Sequence, residues 1–180
     1  MFFRFISILI LAINLHAGSL SKDKHFGVEV NPFYLLLTGS SERYFSGTVS
    51  YFDHERNAEI AFPLYYYSED YNNYKQYTLD MHYRKFINKT MHGFYYSGFA
   101  RVAKLEGLSG NYRIKQTKLG LGVGIGFRLF SKSGFYWGAS LGAGSYITGN
   151  NDQFVNNMFV VTDDPRFIFD IELLKFGYSF

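Results

Sequence analysis

From residue 26 to the carboxyl terminus, apolar side chains recur at every second position, and the charged side chains fall on the opposite face from the aliphatic ones. A repeat of two is the repeat of a β-strand, whose successive side chains point to opposite faces. Between residues 77 and 84, Tyr77, Leu79, Met81 and Tyr83 share one face, while Thr78, Asp80, His82 and Arg84 share the other. Between 118 and 128, Leu119, Leu121, Val123, Ile125 and Phe127 oppose Lys118, Gly120, Gly122, Gly124, Gly126 and Arg128. Eight segments follow the same rule, at about 26–37, 43–52, 58–67, 74–86, 93–105, 116–130, 135–148 and 166–180. Helical spacing is not visible in any of them. The expected fold class is therefore all-β: eight antiparallel strands in up-and-down order, closed into a barrel.

The polarity of the two faces decides what surrounds the barrel. A soluble barrel keeps its apolar residues inside, whereas here Glu59, Asp80, Arg84, Arg101, Lys118 and Arg128 would occupy the inside and the aliphatic residues the outside. An apolar exterior and a charged interior suit a barrel standing in lipid. The expected connections agree. Those at 53–57, 88–92 and 131–134 are short and rich in Asn, Asp, Ser and Gly. Those after the first, third, fifth and seventh segments read as longer, the longest being 149–165. Tight turns on one rim and longer polar loops on the other are the asymmetry of outer-membrane barrels. Tyr65, Tyr66, Tyr67, Tyr71 and Tyr74 at the loop end, with Phe94, Tyr95, Tyr96, Phe135, Tyr136 and Trp137 near the turns, read as two interfacial girdles.

Composition removes the competing classes. With 21% aromatic residues and a net charge of +3 over 180 residues, the chain is not of the disordered kind. Beyond the first residues it lacks the run of about 18 apolar residues that a membrane helix needs. The +3 is not gathered into a basic block that would grip nucleic acid. The absence of Cys excludes disulfides and thiolate catalysis. At the amino terminus, Arg4 precedes the apolar stretch 5–15, and Leu15-His16-Ala17 ends in a small residue. Residues 1–17 thus read as a secretory signal peptide and 18–180 as the barrel domain.

An eight-stranded barrel is just wide enough for side chains to fill. Counting back from the 88–92 turn sets Asp80 opposite Arg101 and Arg84 opposite Ser97, while the glycine face of the sixth strand meets Gly138, Ser140, Gly142 and Gly144 of the seventh. One inner wall is thus bare, and Tyr95, Phe99, His82, Arg84 and Arg101 are expected to reach onto it. The last strand carries a conflict. Strict alternation from Phe176, Tyr178 and Phe180 facing lipid would also put Asp170 and Glu172 in lipid, at a high cost near the midplane. One extra residue near Leu173-Leu174, a β-bulge, would turn both carboxylates inward. The expected lumen network is then Glu29, Glu59, Asp80, Asp170 and Glu172 against Arg84, Arg101, Lys118, Arg128 and Lys175, with His82 among them. Its charges balance, as buried charges must.

The alternating Phe176, Tyr178 and Phe180, ending in Phe at the terminus, resemble the assembly signal of outer-membrane proteins. With the signal peptide and eight strands, the chain resembles the small eight-stranded outer-membrane barrels, the class of the OmpA membrane domain, OmpX and OmpW. The resemblance implies the outer membrane of a Gram-negative bacterium, periplasmic termini and no cofactor. It also implies a monomer whose partners are outer-membrane lipids, including lipopolysaccharide, and the barrel-assembly machinery. Three activities stay open: a structural or surface-interaction barrel using 150–164 and the Tyr-rich 68–75 segment, a narrow channel, and a lipid A-modifying enzyme like PagL or PagP. For the last, a Ser, a His and a carboxylate must meet; His82 falls opposite Phe99 with Ser97 two positions along, and the PagL-type His-x-Ser pattern is missing. Zinc is not expected, since no second inward His lies on a paired strand.

Overall fold

The computed structural model describes residues 17–18, 20–32, 40–70, 73–109, 112–149 and 166–180. The signal segment before Ala17, the extension of the first strand toward residue 37 and the long connection at 150–165 lie outside the described residues. The strands are β1 (Ala17–Gly18), β2 (Phe26–Val30), β3 (Glu42–Asp53), β4 (Ala58–Glu69), β5 (Tyr74–Phe86), β6 (Gly93–Ser109), β7 (Tyr112–Ser131), β8 (Phe135–Tyr146) and β9 (Phe167–Ser179). Each of β2 to β9 pairs antiparallel with its neighbours in sequence, and β9 pairs back onto β2, from Gly27 with Ser179 to Val30 with Phe176. Eight strands close the barrel, and closure leaves no edge to cap.

Burial follows the alternation read from the sequence. On β3, Phe45, Val49 and Tyr51 are exposed while Ser46, Thr48 and Ser50 are buried; on β5, Leu79 and Met81 are exposed while Asp80, His82 and Arg84 are buried. The extremes decide the environment: Val123 is 69% exposed and Arg128 is 0% exposed. An apolar belt of Val28, Val49, Phe62, Leu64, Leu79, Met81, Val102, Leu121, Val123 and Ile125 surrounds the barrel. Such a surface far exceeds the patches that soluble monomers leave in water, so the fold is a transmembrane β-barrel with lipid as its outer solvent. Pro63 sits inside β4 and donates no backbone hydrogen bond. The β4–β5 ladder is interrupted there, between Ala61 with His82 and Leu64 with Leu79, without changing register.

Three expectations need correction. The connection after the fifth segment is not a long loop, because Ser109 pairs with Tyr112 and the β6–β7 hairpin runs on through 105–116. Its outward residues turn polar at Lys104, Glu106 and Lys115, which hid the strand from a pattern sought in aliphatic residues. The Tyr-rich 68–75 segment is largely strand, with Ser68 paired to Lys75 and Glu69 to Tyr74. The two rims therefore differ less in loop length than expected. Finally, the aromatic girdles are thinner. Tyr65, Tyr67, Tyr74, Tyr95 and Tyr136 are buried in the lumen, whereas Tyr66, Tyr77, Phe94, Tyr96, Phe135 and Trp137 remain on the outside; Tyr71 lies outside the described residues. Adjacent residues on a strand take opposite faces, so a run such as Tyr65-Tyr66-Tyr67 cannot serve one interface.

The turn-side end carries the amino-terminal segment. Ala17 and Gly18 pair with Ser131 and Phe130, beyond the start of β6 at Gly93. Leu20 is buried against Phe52, Phe86, Met91, Tyr95, Phe130 and Tyr136. Two turns are tied together by Asn57, whose side chain donates to the carbonyls of Phe86 (2.9 Å) and Asn88 and accepts the Met91 N–H (3.2 Å). Asn57 sits at φ 52°, a left-handed position that Asn tolerates well.

Candidate functional site in the barrel lumen

The interior is stacked in layers. At the turn end is the aromatic cluster just described; at the loop end Tyr67, Tyr74, Phe99, Ala103, Leu105, Tyr146 and Ile168 form a second one, with Tyr44 against it. Between them lie the charges.

The turn-side half of the charged layer is built around Arg128 of β7. Its guanidinium donates to Glu29 of β2 (2.5 Å) and Glu59 of β4 (2.5 Å), three or more strands away on each side. Glu59 also accepts from Arg84 of β5 at 2.9 Å. Lys175 of β9 lies 3.7 Å from Glu29 and forms an ion pair with Glu172. The loop-side half is built around Arg101 of β6. It donates to Asp80 of β5 at 2.7 and 2.8 Å and to Asp170 of β9 at 2.6 and 3.2 Å. His82 lies 3.2 Å from Asp80 and stacks on Phe99, with ring centroids 5.1 Å apart. Glu172 accepts from Tyr65 and Ser140, both at 2.9 Å.

The arginines also rest on rings. Arg128 lies 4.5 Å from the Tyr136 centroid, Arg84 5.7 Å from Tyr95, and Arg101 5.6 Å from Tyr65 and 5.5 Å from Phe99. Guanidinium–ring contacts gain strength when desolvated, and the planar fork of Arg serves two carboxylates at once. Lys118 is buried nearer the loops, over the Tyr146 ring at 5.6 Å.

The bare wall is where the sequence places it. Gly122 pairs with Gly144, Gly124 with Gly142 and Gly126 with Ser140. Rings lie on that wall: a Cβ added at Gly122 would stand 2.2 Å from Phe99 Cζ, and one added at Gly126 would stand 2.2 Å from Tyr95 Cζ. The glycines therefore make room for aromatic fillers. A void bordered by His82, Arg84, Ser97, Phe99, Ser140 and Asp170 offers about 10 Å³ to the centre of a water molecule, room for about one water.

Asp170 and Glu172 reach the lumen through the bulge that the sequence demands. The β8–β9 register passes from Gly138 with Lys175 to Ser140 with Glu172, so β9 holds one residue more than β8 between these pairs, and Leu174 sits at φ 61°. Below the bulge, Phe176, Tyr178 and Phe180 regain the outward phase: Tyr178 is 39% and Phe180 57% exposed. Phe180 is held in register by reciprocal backbone bonds with Phe26, at 3.1 and 2.9 Å.

Sequence reasoning missed the aromatic caps and Leu20. The signal of the caps was an aromatic residue on the inward phase of its strand, as at Phe52, Phe86 and Phe130; Leu20 lies before the first alternating segment and carried no such signal. Among the described residues no group of three or more His, Cys, Asp or Glu side chains is arranged to hold a metal ion.

No protein-family model matches this sequence, and no curated protein does. Two solved structures are similar. The N-terminal β-barrel domain of Pseudomonas aeruginosa OprF is 18% identical over 86% of this chain and 96% of that one, with a TM-score of 0.48. Neisserial surface protein A (NspA) is 10% identical over 87% of this chain and 90% of that one, with a TM-score of 0.46. At that distance neither likeness bears on function. By its own closure, strand number and inverted polarity, the chain is a small eight-stranded barrel of the outer-membrane type.

Proposed function

We propose that this chain is a monomeric outer-membrane scaffold of a Gram-negative bacterium, with a sealed lumen, that presents its loop-side rim to the exterior and catalyses no reaction. The observation that carries the reading is the layering of the interior: two aromatic caps enclose a network of paired charges, with a void of one water between them. A conducting path needs continuous water, and a selective one gains from an excess of one sign of charge. Here Arg101 and Arg128 each bridge two carboxylates across the bore. Against catalysis stands the burial of His82, which is 8% exposed and engaged by Asp80 and Phe99. A nucleophile and its base must be open to substrate. The signal peptide at 1–17, periplasmic termini and recognition of Phe176, Tyr178 and Phe180 by the assembly machinery belong to the same reading.

Single-channel recording of the refolded protein in a planar bilayer tests it. A silent bilayer is expected for the native chain. Steady openings that change in Asp80→Ala or Arg101→Ala would make the lumen a pathway and replace the scaffold reading with a channel.

A further inference from the structure

The outer surface changes character at one height on three adjacent strands. Going from the turns toward the loops, the outward residues are Met81, Leu79, Tyr77 and Lys75 on β5, Ala100, Val102, Lys104 and Glu106 on β6, and Leu121, Leu119, Thr117 and Lys115 on β7. Register sets Leu79, Val102 and Leu119 in one row, Tyr77, Lys104 and Thr117 in the next, and Lys75, Glu106 and Lys115 above them. Glu106 draws the group together, lying 3.4 Å from Lys104 and 3.5 Å from Lys115. The two lysine side chains are 56% and 57% exposed, so their ammonium groups keep donors for another acceptor. Lys75, also exposed, stands opposite Glu106 in the ladder, where facing Cβ atoms are about 5 Å apart. Among the described side chains, three ammonium groups and one carboxylate leave two positive charges immediately above the apolar belt.

We propose that Lys75, Lys104 and Lys115 dock the phosphate of an outer-leaflet lipid headgroup, with the acyl chains of that lipid lying along Leu79, Val102 and Leu119. The inference rests on the outer-membrane reading, and it commits to a lipid because the charges stand at headgroup height directly over aliphatic rows. A phosphate monoester carries close to two negative charges at neutral pH, which the cluster matches. The fitting chemistry is a phosphorylated glucosamine lipid, lipid A, in which headgroup phosphate and acyl chains belong to one molecule.

The test is native mass spectrometry of the folded, detergent-solubilised full chain with bis-phosphorylated lipid A, its dephosphorylated form and inorganic phosphate. The native protein is expected to retain the phosphorylated lipid over the dephosphorylated one. Each single Lys→Gln change at 75, 104 or 115 should lower retention about fivefold, following roughly 1 kcal/mol per basic residue at a charged membrane surface. The triple variant should retain both lipids equally. A matched triple at the turn rim (K22Q, K89Q, K132Q) removes the same charge and should leave retention intact; an equal loss there would show diffuse attraction and overturn the site. Displacement by excess inorganic phosphate would overturn the lipid assignment. Folding of every variant is checked by heat-shifted migration. Failure of the native chain to insert into vesicles would refute the outer-membrane reading itself, whereas insertion without phosphate selectivity would refute only this site.

Discussion

Glu59 is the residue whose loss should cost the barrel most. It is completely buried and its carboxylate accepts from both Arg84 (2.9 Å) and Arg128 (2.5 Å). Glu59→Gln keeps the shape and one acceptor but deletes the charge that two guanidiniums share. Arg128 retains Glu29, while Arg84 keeps the Tyr95 ring and has one guanidinium nitrogen already without a hydrogen-bond partner. Two charge-assisted hydrogen bonds at about 1.5–3 kcal/mol each sum to about 3–6 kcal/mol, which spans the cost of breaking a buried ion pair, about 3–5 kcal/mol. We therefore expect Glu59→Gln to destabilise by about 3–5 kcal/mol. Adding Arg84→Met removes the stranded cation and should restore at least about 2 kcal/mol of that, a coupling of the size seen for residues in one network. The assay is reversible urea unfolding in lipid vesicles, followed by the fluorescence of Trp137, the chain's one tryptophan. A cost below about 1 kcal/mol for the single variant, or no recovery in the double, would mean that these charges are solvated and that the network does not seal the bore.

The glycine wall offers a matched pair. Gly122→Ala drives a Cβ to within 2.2 Å of Phe99 Cζ and 2.6 Å of the Ala143 carbonyl, and should cost about 1–3 kcal/mol in the same titration, whereas Gly98→Ala meets nothing within 4 Å and should be neutral or stabilise by up to about 1 kcal/mol. Deleting Leu174 removes the extra residue and leaves a regular strand with Asp170, Glu172 and Lys175 still inward and Phe176, Tyr178 and Phe180 still outward; heat-shifted migration should persist, and its loss would refute the phase assignment. Leu20→Ala should destabilise by about 2–3 kcal/mol, because it opens the turn-side aromatic cap; an unchanged urea midpoint would mean that the amino-terminal segment does not seat there.

How much of this was legible in the sequence depended on how local the cause was. Face assignment is a property of one strand, so the outward Val28, Val49, Leu79 and Val123 and the inward Glu29, Asp80 and Arg128 could all be read from alternation. The Asp80–Arg101 pair and the Gly122–Gly144 contact follow from counting back from one tight turn, and both stand where that count puts them. The bulge at Leu174 was legible because the alternative placed two carboxylates in hydrocarbon, a cost that no other part of the chain could offset. Partners across the bore were not legible. Arg128 meets Glu29 and Glu59, which lie 99 and 69 residues away in sequence, and which strands face each other depends on the tilt and stagger of the closed barrel. The β6–β7 extension was hidden because its outward residues leave the lipid and become polar, although they remain in the ladder.

The central claim is that the face carrying Val49, Leu79 and Val123 meets lipid rather than water. The chain has no cysteine, so Val49→Cys, Leu79→Cys and Val123→Cys each give a unique attachment point on a residue at least half exposed. A fluorophore at each position, in the protein refolded into vesicles, is read against quenching by brominated lipid and by aqueous iodide. Strong quenching by brominated acyl chains and none by iodide is the predicted result at all three sites. Quenching by iodide and not by lipid would place that face in water and contradict the account.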